Sequence, residues 1–156
     1  MVTAAGTQAG LDRADQPKRM RLIFTASPEG VRDALRDLRA YLRASQLGDD
    51  ASGTVEIVLA EALNNVAEHA YAMSGEGDVR LEVMLSCGHL QADITDAGAP
   101  LPGLDLPRGT PPCLDKGIDL PEGGFGWFLI HRLTSALTYR REKGRNHLHI
   151  EVRLTP

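Results

Sequence analysis

Apolar residues follow two rhythms along this chain. Val31, Leu35, Leu38 and Leu42 recur at steps of three and four, the spacing of one helical face, and predict a helix that ends at Ala44. Ser27 and Pro28 stand ahead of it as N-cap and first helical residue. After the break LGDD, Ser52 can open a second helix running to about Tyr71. Elsewhere the period is two. Residues 20–26, MRLIFTA, read as a short strand. Val79, Leu81, Val83 and Leu85 alternate with polar neighbours. Leu90, Ala92 and Ile94 do the same after Ser86-Cys87-Gly88-His89, which predicts a hairpin. A second hairpin joins a strand at about 136–142 to the alternating run from His147 to Leu154, through the turn Glu142-Lys143-Gly144-Arg145-Asn146.

Strict alternation gives a sheet one buried and one wet face, so the helices must cover a single side. The expected fold class is α/β (α+β): a two-layer sandwich with a mostly antiparallel, mixed sheet covered on one face by helices. One domain spans residues 20–156. Residues 1–19 are small, polar and aperiodic, and form a loose tail. Between Ala97 and Gly124 no period holds, and Pro100, Pro102, Pro107, Pro111, Pro112 and Pro121 interrupt the chain. A connection of this length within a compact domain serves as a lid or binding loop.

Composition sharpens the picture in a few places. The 156 residues are 42% hydrophobic and 24% charged, which suits one folded domain rather than a disordered chain. A net charge of −4 with scattered cations argues against a nucleic-acid partner. The one basic knot, Lys18, Arg19 and Arg21, reads as a solvated flank that guards a strand edge. Two cysteines, Cys87 and Cys113, are too few for a disulfide framework and fit a reducing cytoplasm. No apolar run is long enough to span a bilayer, and the N-terminus lacks a signal-peptide core, so a cytoplasmic protein without membrane contact is expected.

The chemistry concentrates in EALNNVAEHAY, residues 61–71. On a helical wheel, Val55, Leu59, Ala62, Val66 and Ala70 form the buried stripe, while Asn64 and Glu68 face solvent. Glu61, Asn65 and His69 stack at four-residue steps along one border. A carboxylate there can act as a base, and a carboxamide oxygen can ligate a hard cation such as Mg²⁺. Two further segments add to it. In ITDAGAP, residues 94–100, Asp96 follows a strand end and Gly98 permits a turn or a close approach. In EGGFGWFLIHRL, residues 122–133, Gly123, Gly124 and Gly126 open a helix and expose N–H groups to an anion. His147 and His149 share a strand face, but no third ligand is placed, so they read as exposed polar positions.

In this order, Glu-x-x-x-Asn-x-x-x-His-Ala-Tyr, Asp-x-Gly after a strand and Gly-Gly-x-Gly before a helix resemble the GHKL ATPase superfamily with its Bergerat-type ATP-binding fold. The likeness is greatest to its bacterial anti-sigma-factor serine/threonine kinases. It covers about residues 20–156, including SPEGVRDALRDLRAYL and GRNHLHIEV. The resemblance implies ATP and Mg²⁺ as cofactors. It implies Asn65 as the metal ligand, Glu61 as the general base toward the attacking hydroxyl, and His69 lining the same cleft. Asp96 is to accept a hydrogen bond from the adenine amino group, with Gly98 shaping the pocket. Gly124 and Gly126 are to let the loop close over the phosphates. The lid is then about 101–122, with Arg108 and Lys116 as candidates to steady the terminal phosphate. Pro100 and Trp127 depart from the family pattern, where glycine and leucine are usual, and bear on the lid's shape.

The implied activity is phosphoryl transfer to a serine or threonine of a small anti-anti-sigma (STAS-type) protein. A sigma factor or sigma-like protein is the other implied partner, and look-alikes are commonly homodimers. Two other readings stand beside it. One is a regulatory module that binds ATP only to set its shape. The other is a detached histidine-kinase catalytic domain, which needs an upstream phospho-accepting helix that residues 1–19 are too short to hold.

Overall fold

A computed structural model describes residues 17–72, 75–111 and 124–154. The first helical rhythm becomes α1 (Pro28–Ala44), which buries Val31, Ala34, Leu38 and Leu42. Ser27 caps it, its Oγ accepting from Gly30 N at 3.1 Å, a contact worth about 1 kcal/mol. The second helix, α2, spans Asp49–Asn65 and so starts before the expected Ser52. Asp49 and Asp50 occupy its first turn, where carboxylates favour the positive end of the helix dipole. Ser52 Oγ instead donates to Leu47 O at 3.3 Å.

The α-helix does not continue to Tyr71, because Val66–Ala70 forms a single π-turn. Hydrogen bonds to the fifth residue widen each turn and shift the helix faces out of phase. Ala67 is therefore the buried residue of this turn, while Val66 and Ala70, expected in the buried stripe, are only half-buried.

Five strands form one sheet in the order β1-β2-β3-β5-β4. They are β1 (Lys18–Thr25), β2 (Asp78–Ser86), β3 (His89–Asp96), β4 (Ala136–Glu142) and β5 (Arg145–Arg153). Every pairing is antiparallel, so among the described residues the sheet is not mixed. Lys18 and Arg19 belong to β1 and not to the tail. One face buries Val79, Leu81, Val83, Leu90, Ala92, Ile94, Leu148, Ile150 and Val152 in a single core with Leu38, Leu59 and Leu63 of the helices. Truncating any of these leucines to alanine costs about 2–5 kcal/mol, a large share of a typical total of about 5–15 kcal/mol. The other face stays wet and carries polar pairs such as His149 Nδ1 and Asp93 Oδ1 at 2.8 Å. Helix α3 (Phe125–Leu133) lies beside α2 and buries Trp127 and Ile130.

The second hairpin turns more tightly than expected. Lys143 (φ 50°) and Gly144 (φ 76°) form a two-residue loop, and Glu142 pairs with Arg145. Two successive positive φ angles match the right-handed twist of the flanking strands. Asn146, expected in the turn, is therefore a residue of β5, opposite Asp96 and 5% exposed.

Candidate functional site

Asn65 is the last residue of α2, and its Nδ2 is buried with no hydrogen-bond partner. No other side-chain N or O among the described residues is buried and unpaired in this way, and its Oδ1 is not sealed off. Such an orphan costs about 1–3 kcal/mol. A water or a ligand that met this group would remove that cost. Asn64 faces solvent, as its place on the wheel requires.

One turn earlier, half-buried Glu61 carries its carboxylate against the first turn of α3. A Cβ at Gly126 would stand 2.5 Å from Glu61 Oε2, so a larger residue here would push the carboxylate aside. Gly124 precedes α3 with φ 118° and no side-chain cap. Among the described residues no side chain caps the N–H groups of this first turn, the geometry that favours anions. The start of the proline-rich connection lies along the same helix. Thr110 N donates to Gly124 O at 3.0 Å, and His131 Nε2 lies 2.8 Å from Pro107 O. Arg108 is exposed within this stretch. Lys116 and Gly123, with the second half of the expected lid, lie outside the described residues. His69 sits exposed on the π-turn, four residues beyond Asn65.

Asp96 ends β3 and is 3% exposed. Its Oδ1 accepts from Gly98 N at 2.9 Å and from Asn146 Nδ2 at 2.8 Å. Burial pushes its carboxyl above the ordinary range, while the hydrogen bonds from Asn146 and Gly98, and nearby Arg141 and His147, oppose that rise. The loop after it is tied to the π-turn. Ala97 N donates to Tyr71 Oη at 2.9 Å, and Ala99 N donates to Ala70 O at 2.8 Å. Gly98 packs so closely that a Cβ would lie 2.5 Å from Ala70 O. The π-turn that follows Asn65 is thus stapled to the loop that follows Asp96.

Sequence reasoning missed Tyr71 as this staple, and Tyr139, Arg141 and Asn146 around Asp96. A signal for Asn146 was present. It shares the even parity of Leu148, Ile150 and Val152, the buried face of its strand. Reading the turn as five residues hid it.

The donor set suits a cation that arrives with a polyphosphate. Mg²⁺ takes oxygen ligands and keeps several waters, so one carboxamide oxygen would join phosphate oxygens and waters around it. No cluster of three or more His, Cys, Asp or Glu forms a dedicated cage among the described residues. Together, a carboxylate, an orphaned carboxamide, an uncapped helix start and a buried acceptor can hold a nucleotide and activate a hydroxyl.

Known proteins resemble this chain in sequence and fold. The model of the histidine kinase-like ATPase domain matches residues 24–152. An anti-sigma F factor of Clostridium botulinum is 24% identical over 125 residues, covering 80% of this chain and 86% of the relative. The serine/threonine-protein kinase BtrW of Bordetella bronchiseptica is 29% identical over 104 residues, covering 66% of this chain and 71% of the relative. The crystal structure of the RsbU and RsbW domains of a Mycobacterium tuberculosis protein superposes with a TM-score of 0.61 at 18% identity. That match covers 89% of this chain and 33% of the other, and is a likeness of fold.

Proposed function

Because the chain belongs to the histidine kinase-like ATPase family, we propose that it is an ATP-dependent serine/threonine protein kinase acting as an anti-sigma factor in a partner-switching system. The observation that carries this reading is the Glu61 carboxylate packed against Gly126, in the first turn of an uncapped helix, one turn from the orphaned Asn65 carboxamide. A base beside an anion-binding helix start is what transfer from a phosphate to a hydroxyl needs. A module that only binds a partner has no use for it.

Glu61 takes the proton from the attacking hydroxyl. Asn65 offers its carboxamide oxygen to Mg²⁺, which when bound offsets the charge of the phosphates. Asp96 accepts from the adenine amino group, and Gly98 keeps the pocket floor thin. Gly124 and Gly126 bring backbone N–H groups to the phosphates. Arg108 and Lys116 are the candidates for the terminal phosphate, and His69 borders the cleft from its exposed position. The phosphoryl acceptor is a serine or threonine of an anti-anti-sigma, STAS-type protein, and the sequestered partner is a sigma factor or a protein that mimics one. The names of the anti-sigma F and BtrW relatives support these assignments. A homodimer in the cytoplasm completes the reading. No helix among the described residues is long and apolar enough to cross a membrane.

The test is transfer of label from radiolabelled ATP to a STAS-type partner, with Glu61→Ala as comparison. The variant is expected to keep ATP affinity and lose about 10²–10⁴-fold in transfer rate. Equal rates in variant and parent refute the base assignment. Nucleotide binding without any transfer by the parent points instead to a regulatory module that sequesters its partner without turnover.

A further inference from the structure

Asp96 is surrounded by more hydrogen-bonding machinery than a single acceptor contact needs. The register of β3 and β5 sets it opposite Asn146, and both side chains are buried. Arg141 Nη1 lies 2.7 Å from Asn146 Oδ1, and a guanidinium can only donate, so this contact fixes which end of the carboxamide is oxygen. Tyr139 Oη donates to the same oxygen at 2.8 Å, its own lone pair accepting from Leu101 N at 3.1 Å. The Asn146 Nδ2 group must then point the other way. It donates to Asp96 Oδ1 at 2.8 Å and to Ala99 O at 3.0 Å, with Gly98 O further off at 3.4 Å. Both donors and both lone pairs of the carboxamide are committed, and Arg141 also holds Gly98 O at 3.0 Å.

A clamp oriented in this way presents only N–H groups to Asp96 Oδ1, from Asn146 on one side and Gly98 on the other. A proton on that oxygen would face two donors. Among the described residues both hydrogen bonds to Asp96 end on Oδ1, which leaves Oδ2 to accept from a ligand. On the reading that Asp96 meets the base of a bound nucleotide, we infer that Tyr139, Arg141 and Asn146 are positioning residues that select the base. By holding N–H donors on Oδ1 they favour the ionised, acceptor-only form of Asp96 against the pull of burial, so the cleft prefers a purine with an exocyclic amine over one with a carbonyl at that place. Burial alone pulls Asp96 toward the neutral acid, which can donate to a carbonyl; Asn146, Gly98, Arg141 and His147 pull the other way. Without the clamp the amine and the carbonyl become harder to tell apart.

Titration calorimetry with ATP and inosine triphosphate, each with Mg²⁺, tests this in the full chain. The parent is expected to prefer ATP by about 10- to 100-fold, the penalty for leaving a buried acceptor facing a carbonyl. Asn146→Leu removes the donor to Asp96, and Arg141→Met removes the charged one of the two donors that fix the carboxamide. Each is expected to shrink the ATP-to-inosine ratio by about tenfold, the loss of one charge-assisted hydrogen bond. Arg141→Lys keeps a donor at Asn146 Oδ1 and is expected to retain most of the ratio. A purely structural role would weaken both nucleotides together and leave the ratio unchanged. Should Asn146→Leu not fold, the half-buried Arg141 pair decides. A parent that discriminates while Arg141→Met discriminates equally overturns the clamp and leaves the nucleotide site standing, and so does a parent that binds both triphosphates alike. A parent that binds neither overturns the reading of the cleft, and the clamp with it.

Discussion

Replacing Asn65 with leucine is expected to make the ligand-free protein more stable and to abolish its response to nucleotide. Leucine matches asparagine in shape and removes the buried Nδ2 that has no partner. Leaving such a group unpaired costs about 1–3 kcal/mol, and the substitution recovers that amount. For a domain of this size each kcal/mol moves the melting point by about 2–4 °C, so the variant should melt about 2–12 °C above the parent. The lower half of that range is expected, because Asn65 is only half-buried and leucine would expose some apolar surface. Magnesium-ATP at a hundred times its Kd stabilises the parent by about 2.7 kcal/mol through mass action. It should leave the variant unmoved. The order of the two melting curves therefore reverses when nucleotide is added. Differential scanning calorimetry of both proteins, with and without magnesium-ATP, reads this directly. A variant that melts at or below the parent without ligand refutes the idea that folding alone gains nothing from Asn65. An equal shift of both proteins on adding ligand refutes the phosphate-side role.

Three further outcomes follow from the geometry. Gly126→Ala would place a methyl 2.5 Å from Glu61 Oε2 and force the carboxylate aside; transfer should fall about 10²-fold, the usual result of a misplacement near 1 Å, with kcat affected more than KM in steady-state assays. Asp96→Asn keeps an oxygen for Gly98 N and Asn146 Nδ2, yet turns an amide N–H toward the base, and adenine nucleotide affinity should drop about 10- to 100-fold by calorimetry. The same variant has a pH signature. The folded carboxyl titrates above its ordinary 3.8, so the folded state holds the proton more tightly than the unfolded state. The stability this gives the parent is full below that value and is lost as pH rises through the raised one. Urea unfolding should show Asp96→Asn gaining on the parent as pH rises above 3.8, and a gap that widens on acidification contradicts the shift. Tyr71→Phe leaves Ala97 N without its acceptor; it should cost about 1 kcal/mol and weaken nucleotide binding by loosening the loop, whereas an unchanged melting point and affinity would deny the staple.

Much of the fold was legible because periodicity is a local property of the backbone. The alternation at 79–85, 90–94 and 148–154 states which side of each strand is buried, and the sheet obeys it. The wheel likewise separated Asn65 from Asn64 without any tertiary information. It failed beyond Asn65, because nothing in VAEHA marks the switch from the α to the π repeat. That switch is held from outside, by Ala99 N and Ala97 N bonding to Ala70 O and Tyr71 Oη.

The start of α2 shows a second kind of miss. Ser52 looks like an N-cap, but the acidic pair before it serves the helix dipole better, and the two signals compete within a few residues. By itself the sequence determined the rhythm of the elements and the single covered face of the sheet, and it singled out Glu61, Asn65, Asp96 and the glycines as candidates. Tertiary structure alone decided what surrounds them. The orphaned Nδ2 and the approach of Gly126 to Glu61 depend on how α2 and α3 pack. The bond between Asn146 and Asp96 spans 50 positions of chain and depends on two positive φ angles at Lys143 and Gly144. A change of one residue in that turn would flip β5 and put Asn146 in water, because side chains alternate between the two faces of a strand.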